Sequence, residues 1–174
     1  MAWVILCCVM DNLVRNTVII QTKLGAFRAG YSSRGVTSLD FPGGRGPRSI
    51  PPTQKPPSFI HKLARQLKQY AAGKSVRWSV PVDLSSGTGF QQKVWHALKM
   101  IPAGQTRSYS WVAQKIGKPK ASRAVGAACG ANPVPIIIPC HRVIASDGSL
   151  GGFGGGLPMK QRLLALERKA QQER

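Results

Sequence analysis

The sequence predicts an α+β fold, with strands in the N-terminal half of the chain and helices in the C-terminal half. Two observations support this prediction. Residues 16–43 contain three strand-like runs separated by turn residues at 24–25 and 32–35, which is the pattern of an antiparallel meander. Residues 88–170 instead space their apolar residues as helices do, in segments that end at glycine or proline. Strands followed by helices are typical of an α+β protein.

The rest of the N-terminal half predicts a loop, a helix and a further strand. Residues 43–57 are a loop by composition, with eight Gly or Pro among fifteen positions. Residues 58–72 follow helical spacing, and Ser58 is the expected N-cap. Residues 76–84 predict a return to strand. The apolar stripe of the helix is formed by Phe59, Leu63, Leu67 and Tyr70.

The C-terminal half predicts four helices. The first covers residues 90–101 and the last covers residues 158–170, where Glu167 lies at the border of the apolar face. Between them, residues 110–117 and 121–132 predict two short helices joined by a turn. This is the helix-turn-helix layout, which places one helix in a groove of DNA.

The charge of the chain indicates a polyanionic partner. Its 25 Lys and Arg residues outnumber its 6 Asp and Glu residues, giving a net charge of +19. Both halves share the excess, because residues 1–87 carry 12 basic and 3 acidic residues and residues 88–174 carry 13 and 3. Nucleic acid is the favoured partner, and a membrane surface is the second. We predict an apolar leader of unknown role over residues 1–15, an N-terminal domain over residues 16–84 and a C-terminal domain over residues 88–172.

The helix predicted at residues 121–132 is dominated by small residues. Arg123 is the one long side chain among them. A helix this bare can enter a minor groove only about 6 Å wide, from which bulkier side chains would exclude it. The alternative is that the small residues let two core helices pack closely. The small positions are Ala121, Ala124, Gly126, Ala127, Ala128 and Gly130.

Cys140 is the candidate nucleophile. The three isoleucines between Pro135 and Pro139 predict a short buried strand that ends at this cysteine. A thiol becomes a nucleophile when it ionises, and we expect a neighbouring base or cation to lower its pKa from the usual value of about 8.5. His141 is the nearest base, but neighbours on an extended segment point to opposite sides, so a water or a sharp turn would have to connect the two. Glu167 is the preferred carboxylate to orient the imidazole.

The four cysteines of the chain predict neither a disulfide framework nor a metal site. Four cysteines at irregular spacing, without a CxxC pair, favour a reducing cytosol. Cys129 is expected to be an inert core residue. A zinc site made of Cys129, Cys140 and His141 is one alternative, but its spacing matches no usual ligand pattern. A cysteine hydrolase is another, and it would leave the charge and the small-residue helix without a purpose.

Four motifs follow one another in the C-terminal half, namely SYSWVA, RAVGAACGANPVP, IPCHRV and GGLPMKQRLLALE. Together they closely resemble the O6-alkylguanine-DNA alkyltransferases, also called methylated-DNA–protein-cysteine methyltransferases. The match covers about residues 88–170, and a looser one to the family's N-terminal domain covers about residues 16–84. The resemblance implies a small ribonuclease H-like N-terminal domain followed by a mainly helical winged helix-turn-helix domain.

The resemblance implies that the chain transfers an alkyl group from O6 of guanine in duplex DNA, with O4-alkylthymine as a further candidate, to the sulfur of Cys140. The reaction would occur once per molecule. His141 would take the thiol proton through a water, and Glu167 would hold the histidine. Asn132 would brace the turn around the active site. Tyr109 would press on the phosphate beside the lesion and help the guanine to leave. No metal, nucleotide or organic cofactor is implied.

The resemblance also implies the DNA contacts and the substrate pocket. Arg123 would fill the space that the extruded base leaves in the duplex, with the small-residue helix in the minor groove. Many relatives carry a tyrosine where this chain has Phe153, in a loop that is more polar in those relatives. DNA contacts are implied for Tyr109, Ser122, Arg123, Ala124, Ala127 and Gly130. The pocket is implied to include Val143, Phe153, Gly154 and Gly155.

We expect a monomer whose partner is double-stranded DNA containing alkylated bases, without a membrane partner. The expected location is the cytoplasm, or the nucleus in a eukaryote. A non-catalytic sensor of alkylated DNA is the alternative function, because one branch of the family replaces the cysteine of PCHR with tryptophan. This chain keeps Cys140, which favours catalysis.

Overall fold

The computed structural model describes residues 16–44 and 55–172. This part of the chain contains five α-helices and two small β-sheets, which confirms the mixed α and β architecture. Residues 1–15, predicted as a leader, and most of the loop predicted at residues 43–57 lie outside the described residues. None of the helices in the described ranges is long and apolar enough to cross a membrane.

Three strands form the antiparallel meander that the sequence predicts. They are β1 (Asn16–Thr22), β2 (Gly25–Tyr31) and β3 (Val36–Asp40), paired in that order. The tight turn between β1 and β2 requires glycine at Gly25. Its φ of +112° is disfavoured for other residues, and a Cβ there would lie 2.7 Å from Pro42 Cγ.

The predicted helix after the loop is α1 (Ser58–Ala71), which packs against β1. The predicted cap is wrong, because Ser58 is the first helical residue and Pro57 occupies the N-cap position without a side-chain hydrogen bond. The proline ring fixes φ at −57°, a value that suits entry into a helix. The predicted stripe is confirmed: Leu63, Leu67 and Tyr70 are buried, and Phe59 is half-buried.

Residues 76–84, predicted as a strand, form an extended segment. Within the described residues, the segment makes one isolated β-bridge, between Val82 and Val36 of β3. Val36 N donates to Pro81 O, and Asp83 N donates to Val36 O. The pairing does not extend into a strand because Pro81 has no N–H group to continue a ladder. The strand prediction is therefore wrong, although the segment does contact the edge of the meander.

The four helices predicted in the C-terminal half are confirmed with shifted ends. They are α2 (Gly89–Leu98), α3 (Tyr109–Lys115), α4 (Ser122–Gly130) and α5 (Leu157–Gln172). Ile101, predicted in the first of them, lies beyond the end of α2 but is buried. The Trp95 indole donates to the backbone carbonyl of Ala128 at 2.8 Å, which ties α2 to α4.

Residues 135–139, predicted to contain a short buried strand, form a buried tight turn instead. Ile136 has a φ of +74°, a left-handed conformation that a strand excludes. A hydrogen bond from Ile138 N to Val134 O at 3.0 Å closes the turn. The flanking prolines lack the N–H groups that a ladder needs, so the chain turns. The predicted burial is confirmed, since residues 134–143 are buried throughout.

A 3₁₀ turn at Cys140–Arg142 follows and leads into β5 (Val143–Ile144). Strand β5 pairs in parallel with β4 (Arg107–Ser108), which immediately precedes α3. This two-stranded sheet brings the beginning of α3, with Tyr109, beside the segment that carries the cysteine.

Candidate active site

Cys140 is held by the side chain of Asn132. Its Sγ accepts a hydrogen bond from Asn132 Nδ2 at 3.1 Å, and the same amide donates to Ile138 O at 2.8 Å. Asn132 Oδ1 accepts from Val134 N at 3.1 Å, so one side chain braces both ends of the tight turn. The cysteine is 7% exposed and lies on the wall of a cavity.

Glu167 is the centre of a buried hydrogen-bond network next to the cysteine. His141 Nε2 lies 2.8 Å from Glu167 Oε1. Arg142 donates twice, from Nε to Oε2 and from Nη2 to Oε1, both at 2.8 Å. Tyr70 Oη donates to Oε1 at 2.8 Å, and Gly104 N donates to Oε2 at 3.1 Å. Five donors thus converge on a carboxylate that is 2% exposed.

These contacts keep Glu167 ionised. Burial alone would raise its pKa, but the hydrogen bonds from His141 and Arg142 and the positive charge of Arg142 outweigh burial and hold the pKa well below its usual range. An ionised carboxylate only accepts, so the proton between the pair belongs to His141 Nε2. The other ring nitrogen, Nδ1, is then the basic one. It is buried and has no hydrogen-bond partner in the described part of the chain.

Cys140 and His141 both favour their neutral forms. Burial raises the pKa of the Cys140 thiol, against the opposing effects of the Asn132 hydrogen bond and the Lys160 charge. Burial likewise lowers the pKa of His141, although Glu167 acts in the opposite direction. The expected lowering of the thiol pKa is therefore wrong for the free protein, because a thiolate removed from water is disfavoured. A proton has to move when the sulfur reacts.

Lys160 places a positive charge near the thiol. The residue is fully buried, and its ammonium donates to Val143 O at 2.7 Å and to Leu150 O. Burial lowers its pKa, while negative charge on Cys140 or Cys129 raises it. The ammonium therefore ties the chain after the cysteine to α5, and it favours negative charge on the Cys140 sulfur.

Cys140 lines two cavities. The sheet-side cavity, of about 410 Å³, lies between the end of β3 and the tight turn. The helix-side cavity, of about 360 Å³, lies between the start of α3, α4 and the glycine-rich loop at residues 151–156. The rings of Phe153 and Phe41 pack together with their centroids 5.2 Å apart. Both cavities share Cys129, Gly130, Cys140, Phe153 and Gly154 in their walls.

Cys129 is not the core residue that the sequence predicts. It is half-buried and lines both cavities together with Cys140. Burial is the main reason that its pKa rises to about 12. Cys129 therefore stays a neutral thiol near neutral pH.

Tyr109 is the first residue of α3 and lines the helix-side cavity. Two glycines make room for its ring. A Cβ at Gly126 would lie 3.8 Å from Tyr109 Cε1, and one at Gly151 would lie 2.9 Å from Tyr109 Oη. Burial raises the pKa of Tyr109, so the hydroxyl keeps its proton and can donate it to a bound group.

The surface of α4 is almost free of long side chains. Val125 and Ala128 are buried beneath it. Gly126 allows close packing against Tyr109. Most of the other small residues of the helix face outward. The exposed residues are Arg123, Ala124, Ala127 and Gly130, while Ser122 is half-buried.

Two of the four residues implied for the pocket do not line these cavities. Phe153 and Gly154 line both, but Val143 and Gly155 line neither. Val143 is fully buried. Gly155 lies against Phe41, and a Cβ there would be 2.7 Å from the ring. Gly155 thus allows the loop to approach the N-terminal half, and Val143 packs in the core.

Relatives of known name cover most of the chain. Residues 89–169 match the family model described as 6-O-methylguanine DNA methyltransferase, DNA binding domain. The methylated-DNA–protein-cysteine methyltransferase of Mycolicibacterium paratuberculosis is 50% identical over 117 residues, which are 67% of this chain and 70% of that protein. The protein of the same name from Methanosarcina barkeri is 44% identical over 150 residues, which are 86% of this chain and 94% of that protein. The chain belongs to the methylated-DNA–protein-cysteine methyltransferase family.

A solved structure of this family agrees with the assignment. The crystal structure of Mycobacterium tuberculosis OGT in complex with DNA has a TM-score of 0.77 and 41% identity to this chain. The match covers 87% of this chain and 92% of the other. The family resemblance carried by the four motifs is therefore confirmed.

Three residues around the candidate site of this family member are not singled out by the sequence. Tyr70 was expected on the apolar stripe of α1, without a polar role. Arg142 directly follows His141, but nothing in its sequence position indicates that it turns back to Glu167. The sequence does contain a signal for Lys160: it lies on the buried face of α5, where a charged side chain needs a partner.

Proposed function

We propose that this chain repairs alkylated DNA by transferring an alkyl group from O6 of guanine to Cys140 Sγ, once per molecule. One arrangement carries this proposal. A thiol held by Asn132 lies on the wall of two cavities, next to a neutral imidazole whose Nε2 proton is fixed by Glu167. Such a site can supply a thiolate at the moment of bond formation. The product is a thioether, which water does not cleave at a useful rate.

The proton of Cys140 would move to His141 as the sulfur–carbon bond forms. Nδ1 is the unpartnered basic nitrogen of a buried imidazole, and a water between it and Sγ would carry the proton. Glu167 would stabilise the imidazolium without taking the proton itself. The bond between the alkyl carbon and O6 breaks in the same step, and negative charge develops on the guanine. Tyr109 would donate a hydrogen bond to that charge, and the guanine would then regain a proton.

The lesion must leave the base stack to reach Cys140, at a cost of a few kcal/mol that is lower for a poorly paired base. Helices α3 and α4 would form the helix-turn-helix of a winged domain, with α4 in the minor groove. Ala124 and Ala127 would allow close approach, and Arg123 would fill the gap in the duplex. The helix-side cavity would receive the base. Ser122 and Gly130 would complete the DNA-contacting surface.

The two halves would be separate domains, with residues 16–84 forming a ribonuclease H-like domain and residues 88–172 forming the winged helix-turn-helix domain. The DNA-bound structure of the Mycobacterium tuberculosis relative supports DNA as the partner. The protein would act as a monomer in the cytoplasm. It would need no cofactor, because the lesion supplies the alkyl group.

The test is stoichiometric transfer from a duplex that contains one O6-methylguanine. We expect one methyl-sized mass increment per chain. Fragmentation of the tryptic peptide at residues 124–142 should place it on Cys140 and not on Cys129, and an unmodified duplex of the same sequence is the control. Cys140→Ser should bind the methylated duplex without gaining mass.

Three results would contradict the proposal. Binding by the parent protein without a mass increment would favour a damage sensor. Repeated turnover of an acyl substrate would favour a hydrolase. Methyl removal by Cys140→Ser at the parent rate would exclude this sulfur as the acceptor.

A further inference from the structure

Tyr70 connects the N-terminal half of the chain to the proposed site of transfer. It lies on α1, 71 positions before His141 and 97 positions before Glu167. Its hydroxyl donates to Glu167 Oε1 at 2.8 Å and lies 3.5 Å from His141 Nε2. Tyr70 is 4% exposed, and its ring packs on Trp78 with the centroids 5.7 Å apart. The contact is thus buried and sterically defined.

Oε1 of Glu167 is shared among three donors, from Tyr70, His141 and Arg142. A hydrogen bond from the phenol stabilises the negative charge on Oε1, so less of that charge is available to stabilise a protonated imidazole. The phenol is also one of the contacts that fix the plane of the carboxylate. Through Glu167, the hydroxyl therefore affects both the orientation and the basicity of the imidazole.

We propose that Tyr70 is a positioning residue for alkyl transfer, which through Glu167 orients His141 and holds the imidazole neutral until it accepts the proton of Cys140. This inference rests on the proposed function, because it assigns a part in that same reaction to the N-terminal half. The N-terminal half then takes part in the chemistry as well as in the architecture.

Besides Tyr70, the charged groups that act on His141 are Glu167, Arg142 and Lys160. Burial is the main cause that lowers the pKa of His141, and the positive charges of Arg142 and Lys160 act in the same direction. Glu167 opposes them. All of these groups stay in place when only the hydroxyl of Tyr70 is removed, so a change in the titration of His141 reports on that hydroxyl.

The test is Tyr70→Phe, which removes the hydroxyl and keeps the ring against Trp78. We expect the pKa of His141, followed by NMR of labelled imidazoles, to rise by about half a pH unit, the effect of losing roughly one hydrogen bond. A higher pKa leaves more imidazolium at acidic pH, and imidazolium cannot accept the thiol proton. The acid limb of the single-turnover rate should therefore move to higher pH by the same amount.

Tyr31→Phe is the matched control. It removes a phenol hydroxyl from another buried tyrosine of the same half, and that hydroxyl makes no hydrogen bond to Glu167 or His141. In Tyr31→Phe, the pKa of His141 and the pH profile of the single-turnover rate should equal those of the parent protein. If Tyr70→Phe lowers the melting temperature but leaves both readouts unchanged, Tyr70 is purely structural and the inference is wrong. If the parent transfers no methyl group, the proposed function fails, while the NMR titration still tests the contact.

Discussion

Glu167 is a charge that the fold removes from water and surrounds with donors. Burying a carboxylate is costly unless its partners replace the lost water, and here Arg142 supplies two of the five hydrogen bonds. Arg142 also donates from Nη1 to Ile101 O at 2.6 Å, so the guanidinium is itself well satisfied. The pair fixes the segment after the cysteine to α5. It thereby fixes the position of His141, the proposed proton acceptor.

Arg142→Met should lower the free energy of unfolding by about 3–5 kcal/mol, because it leaves Glu167 buried without its main counter-charge. Urea unfolding followed by circular dichroism measures the loss. Arg34→Met is the control, since it removes a pair with Asp83 at 3.1 Å in which the arginine side chain is 65% exposed and the aspartate side chain 6% exposed. The carboxylate of Asp83 keeps hydrogen bonds from Ser32 Oγ and Ser85 N when the arginine is removed. The expected loss there is below about 1 kcal/mol. Similar losses in the two variants would show that burial does not set the strength of the pair.

Helix α4 combines two tasks on opposite faces. Val125 and Ala128 pack into the core, and the small size of Gly126 lets the helix lie against Tyr109. On the outer face, Ala127 and its neighbours present little more than backbone and methyl groups. The same helix therefore forms one wall of the helix-side cavity and presents an outer face whose short side chains would fit a narrow groove.

Ala127→Leu should weaken binding to a methylated duplex by at least about tenfold, which corresponds to roughly 1.4 kcal/mol, because the larger side chain holds α4 away from the groove. Fluorescence anisotropy at fixed salt concentration measures the affinity. Ala165→Leu makes the same change at an exposed position of α5 and should leave affinity unchanged. Both variants should melt like the parent. Parental affinity in Ala127→Leu would remove α4 from the DNA interface.

On the scale of the whole molecule, the positive charge is distributed and not confined to α4. The net charge of +19 arises from both halves of the sequence. Of the acidic residues in the described ranges, Glu167 is buried and Asp83 is paired with Arg34. Little negative surface is left to offset the lysines and arginines, so both halves can attract a phosphate backbone.

DNA affinity should therefore fall steeply with salt. We expect a loss of at least about a hundredfold between roughly 0.05 and 0.2 M salt, because each neutralised phosphate releases counterions. Anisotropy titrations on methylated and unmethylated duplexes should give parallel slopes, since the electrostatic contribution does not depend on sequence or lesion. A flat response would contradict the role assigned to the charge.

Much of the fold could be read from the linear sequence, because strand and helix periodicities repeat within a few neighbouring residues. The meander, all five helices and the burial around the cysteine were predicted in this way. The proposed nucleophile could also be singled out, since Cys140 and His141 lie in one contiguous motif. The two predicted strands that fail, at residues 76–84 and 135–139, both contain or adjoin prolines whose missing N–H groups matter only when a partner strand is sought.

Folding alone brought together the groups that surround the proposed site of transfer. Tyr70 and Glu167 are 97 positions apart, and their contact follows from packing α1 near α5, which no local pattern encodes. Arg142 and Lys160 likewise act through partners distant in sequence. The protonation of Cys140 is also a tertiary property, because burial, which raises its pKa, exists only in the packed molecule. Residue order thus indicates which sulfur to propose as the nucleophile, and three-dimensional packing sets its protonation and its hydrogen-bond partners.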